Sequence, residues 1–267
     1  MTAIKRKGAR STKDISPDIL QQLNAGQLET ANLVEWLAVD QTLLLEHLLR
    51  EQGRSDYMQA LRHKIEQLSK RTVNTINEAI GTGLFELSTV HKDSTLLQAM
   101  ASHKADLVRC WATYAIGKNE ALNLTETLQQ IQPFAADTHF GVREICWMAV
   151  RPKIAQHLEQ SISILSGWTK DPDENIRRFA TESTRPRGVW CTHIEALKQN
   201  PELALSILEP LKNDPAKYVQ DSVGNWLNDA GKTQAAFVQN LCKRWEAESP
   251  TKATGYIIKK ALRSINK

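Results

Sequence analysis

Residues 171–190, DPDENIRRFATESTRPRGVW, concentrate side chains that could do chemistry on an anionic partner. Guanidinium groups bind phosphate through paired hydrogen bonds, and a carboxylate among them can stabilise a developing cation or position water. So dense a positive charge must either meet an anion or be paired inside the protein. The side chains concerned are Arg177, Arg178, Glu182, Arg185, Arg187 and Trp190.

The same stretch predicts one short helix. Asp171-Pro172 is typical of a turn, because proline disfavours the helical conformation in the residue before it. We expect the helix to begin near Asn175, with acidic side chains at its positive end, and to end at Pro186.

This helix recurs along the chain, each time beginning with an apolar residue followed by arginine or glutamine. A helix pair recurring every ~35–45 residues is typical of a HEAT-like α-solenoid. We therefore predict an all-α fold, with a single solenoid domain over 16–267 and a disordered basic arm over 1–15. The copies begin at Val108-Arg109, Val142-Arg143, Ile176-Arg177 and Val219-Gln220, and Ile258-Lys259 is a possible fifth.

Composition excludes several classes of protein. Hydrophobic residues make up 41% of the 267 and charged residues 24%, and no apolar run approaches the ~20 residues of a membrane span. The four cysteines show no CxxC spacing, which argues against a zinc site. No other metal or cofactor motif is visible in the sequence, so we expect neither a metal nor a cofactor. We expect a cytoplasmic monomer that does not bind a membrane. The net charge of +4 does not by itself identify a nucleic-acid binder.

When the residues of the second helix of each repeat are placed at 100° intervals around the helix axis, a packed face separates from an outward face. Trp226 falls on the packed face. In a solenoid the second helices usually line a concave binding surface, so the outward residues predict a basic groove with an exposed tryptophan. The outward set holds Glu144, Trp147, Arg151, Arg178, Thr181, Arg185, Asp221, Gly224 and Asn228, with Arg177, Glu182 and Asn225 flanking them.

Simpler interpretations exist for each of these residues. Arg178 and Glu182 are four apart and could form an ordinary surface ion pair. Trp147 could be covered by the loop around Phe140. Together, however, the aligned arginines and the tryptophan favour a binding groove.

The motif NIRRFATESTRPRGVW resembles the signature of the DNA alkylation repair glycosylases of the AlkC and AlkD type, and RRFA and RPR in one segment place it nearer the AlkC-like branch. The segments HFGVREICWMAVRPK and YVQDSVGNWLND resemble flanking segments of the same family. The sequence departs from the family at Gly188-Val189, where Leu-Pro is frequent, and at Gln220 and Asp221, where basic residues are usual.

The resemblance implies a helical superhelix that holds duplex DNA in a concave basic groove and excises cationic alkylated bases, such as 3-methyladenine, without flipping them. It matches Glu182 and Glu144 to candidate catalytic carboxylates, Arg178 to a groove arginine and Trp190 to the aromatic residue after RPR.

The chemistry suits these residue types. Alkylation makes the purine cationic and a good leaving group, and its departure leaves an oxocarbenium-like sugar that a carboxylate can stabilise. Glu182 is our first candidate for this role and Glu144 the second. Aromatic faces could stack on the sugar, and Trp147 and Trp190 are the candidates. The arginines would hold phosphates. The alternative is a non-catalytic HEAT-repeat scaffold that binds structured DNA or a protein partner.

Overall fold

The computed structural model describes residues 6–265, and every regular element in that range is helical. The all-α, HEAT-like repeat fold predicted from periodicity is confirmed. No helix among these residues is long and apolar enough to cross a membrane. The helices, apart from short 3-10 turns, are α1 (Pro17–Asn24), α2 (Leu33–Ala38), α3 (Gln41–Glu51), α4 (Met58–Glu66), α5 (Val73–Val90), α6 (Ser94–Ala101), α7 (Asp106–Gly117), α8 (Leu124–Ala135), α9 (Phe140–Gln156), α10 (Leu158–Trp168), α11 (Glu174–Glu182), α12 (Glu195–Gln199), α13 (Leu205–Leu208), α14 (Lys217–Gly231), α15 (Ala235–Glu248) and α16 (Lys252–Ala261).

The chain divides into two compact units, and the single solenoid domain over 16–267 stays a prediction. Unit 1 contains Met1–Ala121 and Asp137–Ala149, and unit 2 contains Leu122–Ala136 and Val150–Lys267. In unit 1, α5 packs against α4, α6 and α7. In unit 2, α14 packs against α11, α15 and α16, and α10 packs against α11 and α13.

The repeat predicted from sequence coincides with five helices, namely α7, α9, α11, α14 and α16. The apolar residue that begins each of the first four copies is buried: Val108, Val142, Ile176 and Val219 are at most 8% exposed. In the fifth copy Ile257, and not Ile258, is the fully buried residue, so the predicted register is one position late.

The arginine that follows the apolar residue ties successive repeat loops together. Arg109 donates to the Asp137 carboxylate at 2.8 and 3.1 Å and to the His103 carbonyl at 2.8 Å. Arg177 repeats the arrangement in a later repeat, where it donates to Asp214 at 2.6 and 3.0 Å. Arg109 and Arg177 therefore each join their own loop to the loop of a later repeat.

The residues of the arm that are described, 6–15, lie against the fold, where the sequence predicted disorder. Thr12–Asp14 form a 3-10 turn, and Arg6 pairs with Glu35 of α2 at 2.6 Å. This contact satisfies the carboxylate of Glu35, which is only 1% exposed. Residues 1–5 of the predicted arm lie outside the described residues.

Candidate functional site

Helix α11 carries the arginine-rich motif. Its N-cap is Asp173, whose carboxylate accepts the Asn175 N–H at 2.8 Å, as expected at a positive helix end. The helix ends at Glu182, four residues before Pro186. The earlier end follows from the conformational restriction that proline places on Arg185 and from Thr184, whose hydroxyl donates to the Ala180 carbonyl at 2.8 Å.

Four charged side chains form a buried network that we call the α11 cluster: Arg178, Glu182, Arg185 and Asp229. Glu182 lies 3.5 Å from the Arg178 guanidinium and 3.3 Å from that of Arg185. Arg185 also donates two bonds to Asp229, at 2.9 and 2.6 Å. Removing one partner of such a buried network is expected to cost several kcal/mol, because the other charge stays buried and unpaired.

Within the α11 cluster, Arg178 also contacts an aromatic ring. Its guanidinium stacks 4.1 Å from the centroid of the Tyr218 ring, and its separation from Glu182 is at the long end for a hydrogen-bonded pair. Arg185 is fixed by its two-point contact with Asp229.

Arg151 supports the loop that comes after the cluster. It is 2% exposed and donates to the backbone carbonyls of Ser183, Arg185 and Thr192 at 2.8, 2.5 and 3.1 Å. Burial lowers the pKa of Arg151, although a guanidinium remains charged at any physiological pH. These bonds favour a positioning role for Arg151 over the phosphate contact predicted from sequence.

The segment 186–194, which we call the Trp190 loop, presents an exposed tryptophan. Trp190 is 83% exposed, and its φ of 57° lies in the left-handed region that bulky residues avoid. A Cβ on Gly188 would collide with the Cys191 sulfur, so a larger residue at this position would require the loop to shift. The loop is closed by the Ile194 N–H, which donates to the Pro186 carbonyl at 3.0 Å. Strained residues held by their surroundings are frequent at functional sites.

Arg187, in the same loop, is half-buried, and its Nε is buried without a hydrogen-bond partner among the described residues. A buried N–H left unpaired is costly in free energy, so this guanidinium is well placed to donate a hydrogen bond to an anionic ligand.

Besides Arg151, Trp147 and Arg177 are placed differently from the prediction. Trp147 is 2% exposed, and the prediction of an exposed tryptophan in α9 is wrong. Its indole N–H donates to the Glu144 carboxylate at 3.1 Å, one turn away on the same helix. Arg177 is engaged by Asp214, and recurrence of its position in successive repeats favours a structural role.

Sequence reasoning missed a group of cations in α14, α16 and the turn after it in unit 2, which we call the α16 cation group: Lys217, Lys260 and Arg263. Lys260 and the Tyr256 hydroxyl both bond to the Asp221 carboxylate, and Lys217 lies 3.6 Å from the centroid of the Tyr256 ring. Burial alone would raise the pKa of Asp221, but the two bonds outweigh it and the pKa lies below its ordinary value.

Arg263 of the same group donates to the Asn225 side chain at 2.9 Å. The charge of Asp221 is thus neutralised by the next repeat. The possible fifth repeat copy was the signal for this arrangement, since it places lysines beside Asp221. Among residues 6–265, no three His, Cys, Asp or Glu side chains group so as to hold a metal ion.

Part of the chain is similar to known protein sequences. Residues 122–265 match the model of a family described as DNA alkylation repair enzyme. Protein YhaZ of Bacillus subtilis (strain 168), which is uncharacterised, is 35% identical over 148 residues, or 55% of this chain and 40% of that protein. The chain therefore spans less than half the length of this relative.

Solved structures show the same fold. Alkylpurine DNA glycosylase AlkC of Pseudomonas fluorescens, bound to DNA containing an abasic site analogue, aligns with a TM-score of 0.68 at 21% identity, over 97% of this chain and 66% of that one. AlkD2 of Streptococcus mutans aligns with a TM-score of 0.61 at 22% identity, over 78% of this chain and 98% of that one. At these identities the likeness establishes the fold alone.

Proposed function

Since the chain belongs to the family of DNA alkylation repair enzymes, as its sequence motifs suggested, we propose that it is a DNA glycosylase that excises cationic N-alkylated bases of the 3-methyladenine type from duplex DNA. One observation carries the proposal: the family match over residues 122–265 includes both the α11 cluster and the Trp190 loop. The AlkC structure that shares this fold holds DNA with an abasic site analogue, and an abasic site is the product of base excision.

Glu182 is the carboxylate that we propose to stabilise the sugar cation. It is 3% exposed in the free protein, because Arg178 and Arg185 lie against it. A DNA phosphate that draws Arg178 away would uncover the carboxylate, while Asp229 keeps Arg185 in place. Phosphate binding would thus prepare the carboxylate for chemistry at the neighbouring nucleotide. Glu144, which is half-buried and bonded to Trp147, remains the second candidate.

Trp190 is the aromatic residue that we propose to lie against the sugar or the cationic nucleotide. Its exposure leaves the ring face open to a ligand, and an aromatic face attracts a cation. Arg187 and Arg178 would contact phosphates beside the lesion, with Asn225 and the α16 cation group adding contacts further along. Arg151, Arg177 and Arg185 would position these groups, and the buried Trp147 would support Glu144.

The damaged base need not leave the stack in this scheme. A cationic base is already primed to depart, so stabilising the sugar from the backbone side is sufficient, and the cost of unstacking is avoided. The same requirement restricts the substrates to bases that carry a positive charge.

The test is base release from alkylated duplex DNA. The wild-type protein is expected to release free 3-methyladenine or 7-methylguanine and to leave abasic sites, which are measured by chromatography and by strand cleavage in alkali. Binding of duplex DNA at saturation without any release would contradict the enzyme assignment and favour the non-catalytic scaffold.

A further inference from the structure

The N-terminal segment of unit 1 carries positive charge that the proposed site does not use. Between residues 6 and 13 there are four basic side chains and no acidic one. Three of them, which we call the basic strip, are exposed at every third position and have no ion-pair partner within residues 6–265: Lys7, Arg10 and Lys13. The first acidic residue, Asp14, accepts bonds from the Ser11 N–H and hydroxyl at 3.1 and 2.8 Å.

A buried carboxylate anchors this segment. Glu35 of α2 accepts both arms of the Arg6 guanidinium at 2.6 Å, the Ala31 N–H at 2.8 Å and the Ala9 N–H at 3.3 Å. The Asn32 side chain donates to the Ala9 carbonyl at 2.8 Å. A short polar segment of this kind would ordinarily be disordered, so its placement depends on these contacts.

Gly8 permits the close approach on which the anchor depends. A Cβ at this position would lie 2.4 Å from the side-chain amide nitrogen of Asn32. The contacts hold Arg6 inward through Glu35, while Lys7, Arg10 and Lys13 are left in solvent. The network therefore fixes an array of unpaired cations on the surface of unit 1.

We propose that the basic strip is a second contact for nucleic acid, which binds the phosphate backbone of a duplex outside the lesion site. This inference rests on the proposed function, which supplies the polyanion. Three unpaired cations on a fixed segment suit a regular array of phosphates, and contacts of this kind give affinity without sequence preference. A membrane surface is a poor alternative, because residues 6–14 contain no apolar side chain larger than alanine.

The test is the salt dependence of binding to undamaged duplex DNA. The triple variant Lys7→Gln, Arg10→Gln and Lys13→Gln is compared with a control that replaces three other exposed lysines by glutamine, namely Lys70, Lys92 and Lys243. If each strip cation neutralises one phosphate, the slope of log K against log salt falls by up to about 2.7, equivalent to about 40-fold less loss of affinity between 50 and 200 mM salt. The control should change the slope by less than about 1. Equal slopes for the two triple variants would overturn the proposal.

A second variant tests the anchor. Glu35→Gln keeps all three strip cations but removes the charge that holds Arg6, so part of the slope should be lost although the strip is intact. An unchanged slope in a folded Glu35→Gln protein would show that placement by Glu35 is not required, and would overturn the anchoring part of the proposal. If this variant does not fold, as thermal melting would reveal, the triple variant decides alone.

Base release separates this proposal from the proposed function. If the wild type releases no base but the two triple variants differ in slope, the glycosylase assignment fails and the strip stands. If the wild type releases base and the two triple variants have equal slopes, only the proposal for the basic strip fails.

Discussion

A glutamate and a tryptophan occur together in each unit of the molecule, with opposite outcomes. In unit 1, Glu144 and Trp147 lie one turn apart on α9, and the tryptophan is 2% exposed. In unit 2, Glu182 ends α11 and is buried among arginines, whereas Trp190 is 83% exposed on the next loop. The same two residue types thus give a core contact in one unit and a candidate site in the other.

The difference arises from the path of the chain after each carboxylate. Trp147 lies three residues after Glu144 on the same helix, so its indole N–H can donate to that carboxylate and the ring can be buried. After Glu182 the helix ends, and Pro186, Gly188 and the carbonyl contacts of Arg151 turn the chain outward. Exposure of an aromatic side chain in this protein therefore depends on local chain geometry more than on its helical face.

The largest effect should come from truncating the buried tryptophan. Trp147→Ala is expected to lower the free energy of unfolding by about 3–5 kcal/mol, because it leaves a large cavity. Trp190→Ala should change it by less than about 0.5 kcal/mol. Urea unfolding of both variants measures the contrast. A loss above about 2 kcal/mol in Trp190→Ala would show that the exposed ring supports the fold, contrary to its position here.

The second effect concerns the two carboxylates. Glu182→Gln is expected to reduce the single-turnover rate of base release by about 10²–10³-fold, the range found when one preorganised electrostatic contact is removed. Glu144→Gln should reduce it by less than about 10-fold, since the amide oxygen can still accept the Trp147 N–H. Thermal melting of both variants controls for unfolding. The reverse order of rates would transfer the catalytic role to unit 1.

The smallest effect is a response to acid that should arise in unit 1. Burial lowers the pKa of His103 below its ordinary 6.5, and Glu51, 3.6 Å away, offsets this only in part. As the pH falls, His103 binds a proton at a higher pH in the unfolded chain than in the folded one. The contribution of neutral His103 to the free energy of unfolding is therefore fully present above about pH 6.5 and decreases as the pH falls toward the folded-state pKa. Hydrogen exchange at about pH 7.5 and 5.5 should show faster opening around His103 at the lower pH. His103→Gln should flatten this response, and a variant with the full wild-type response would exclude His103 as its source.

The helix pairs could be predicted from sequence because their evidence is local. The spacing of Val108, Val142, Ile176 and Val219 recurs in one dimension and needs no knowledge of tertiary contacts. The same spacing also indicates a structural role for Arg177, since Arg109 and Arg143 occupy the corresponding positions of earlier repeats. An arginine repeated in this way belongs to the scaffold, as its bond to Asp214 shows, whereas Arg178 has no such counterparts.

The remainder of the site depends on contacts between distant residues. The pairing of Asp221 with Lys260, of Arg185 with Asp229 and of Arg151 with loop carbonyls joins residues more than thirty positions apart. Helical periodicity indicates which residues share a face, but not which charge meets which. The contact of Arg6 with Glu35 illustrates the same limit, because composition alone favoured a disordered arm.

The exposure of Trp190 also makes it an optical reporter. The chain has seven tryptophans, and five of them, Trp36, Trp111, Trp147, Trp226 and Trp245, are at most 6% exposed. Soluble quenchers should therefore reach Trp190 first, and the quenchable part of the fluorescence should follow events at the loop. If the ring stacks on a nucleotide, bound DNA will shield it from the quencher, so occupancy of the loop could be followed in real time without an attached dye.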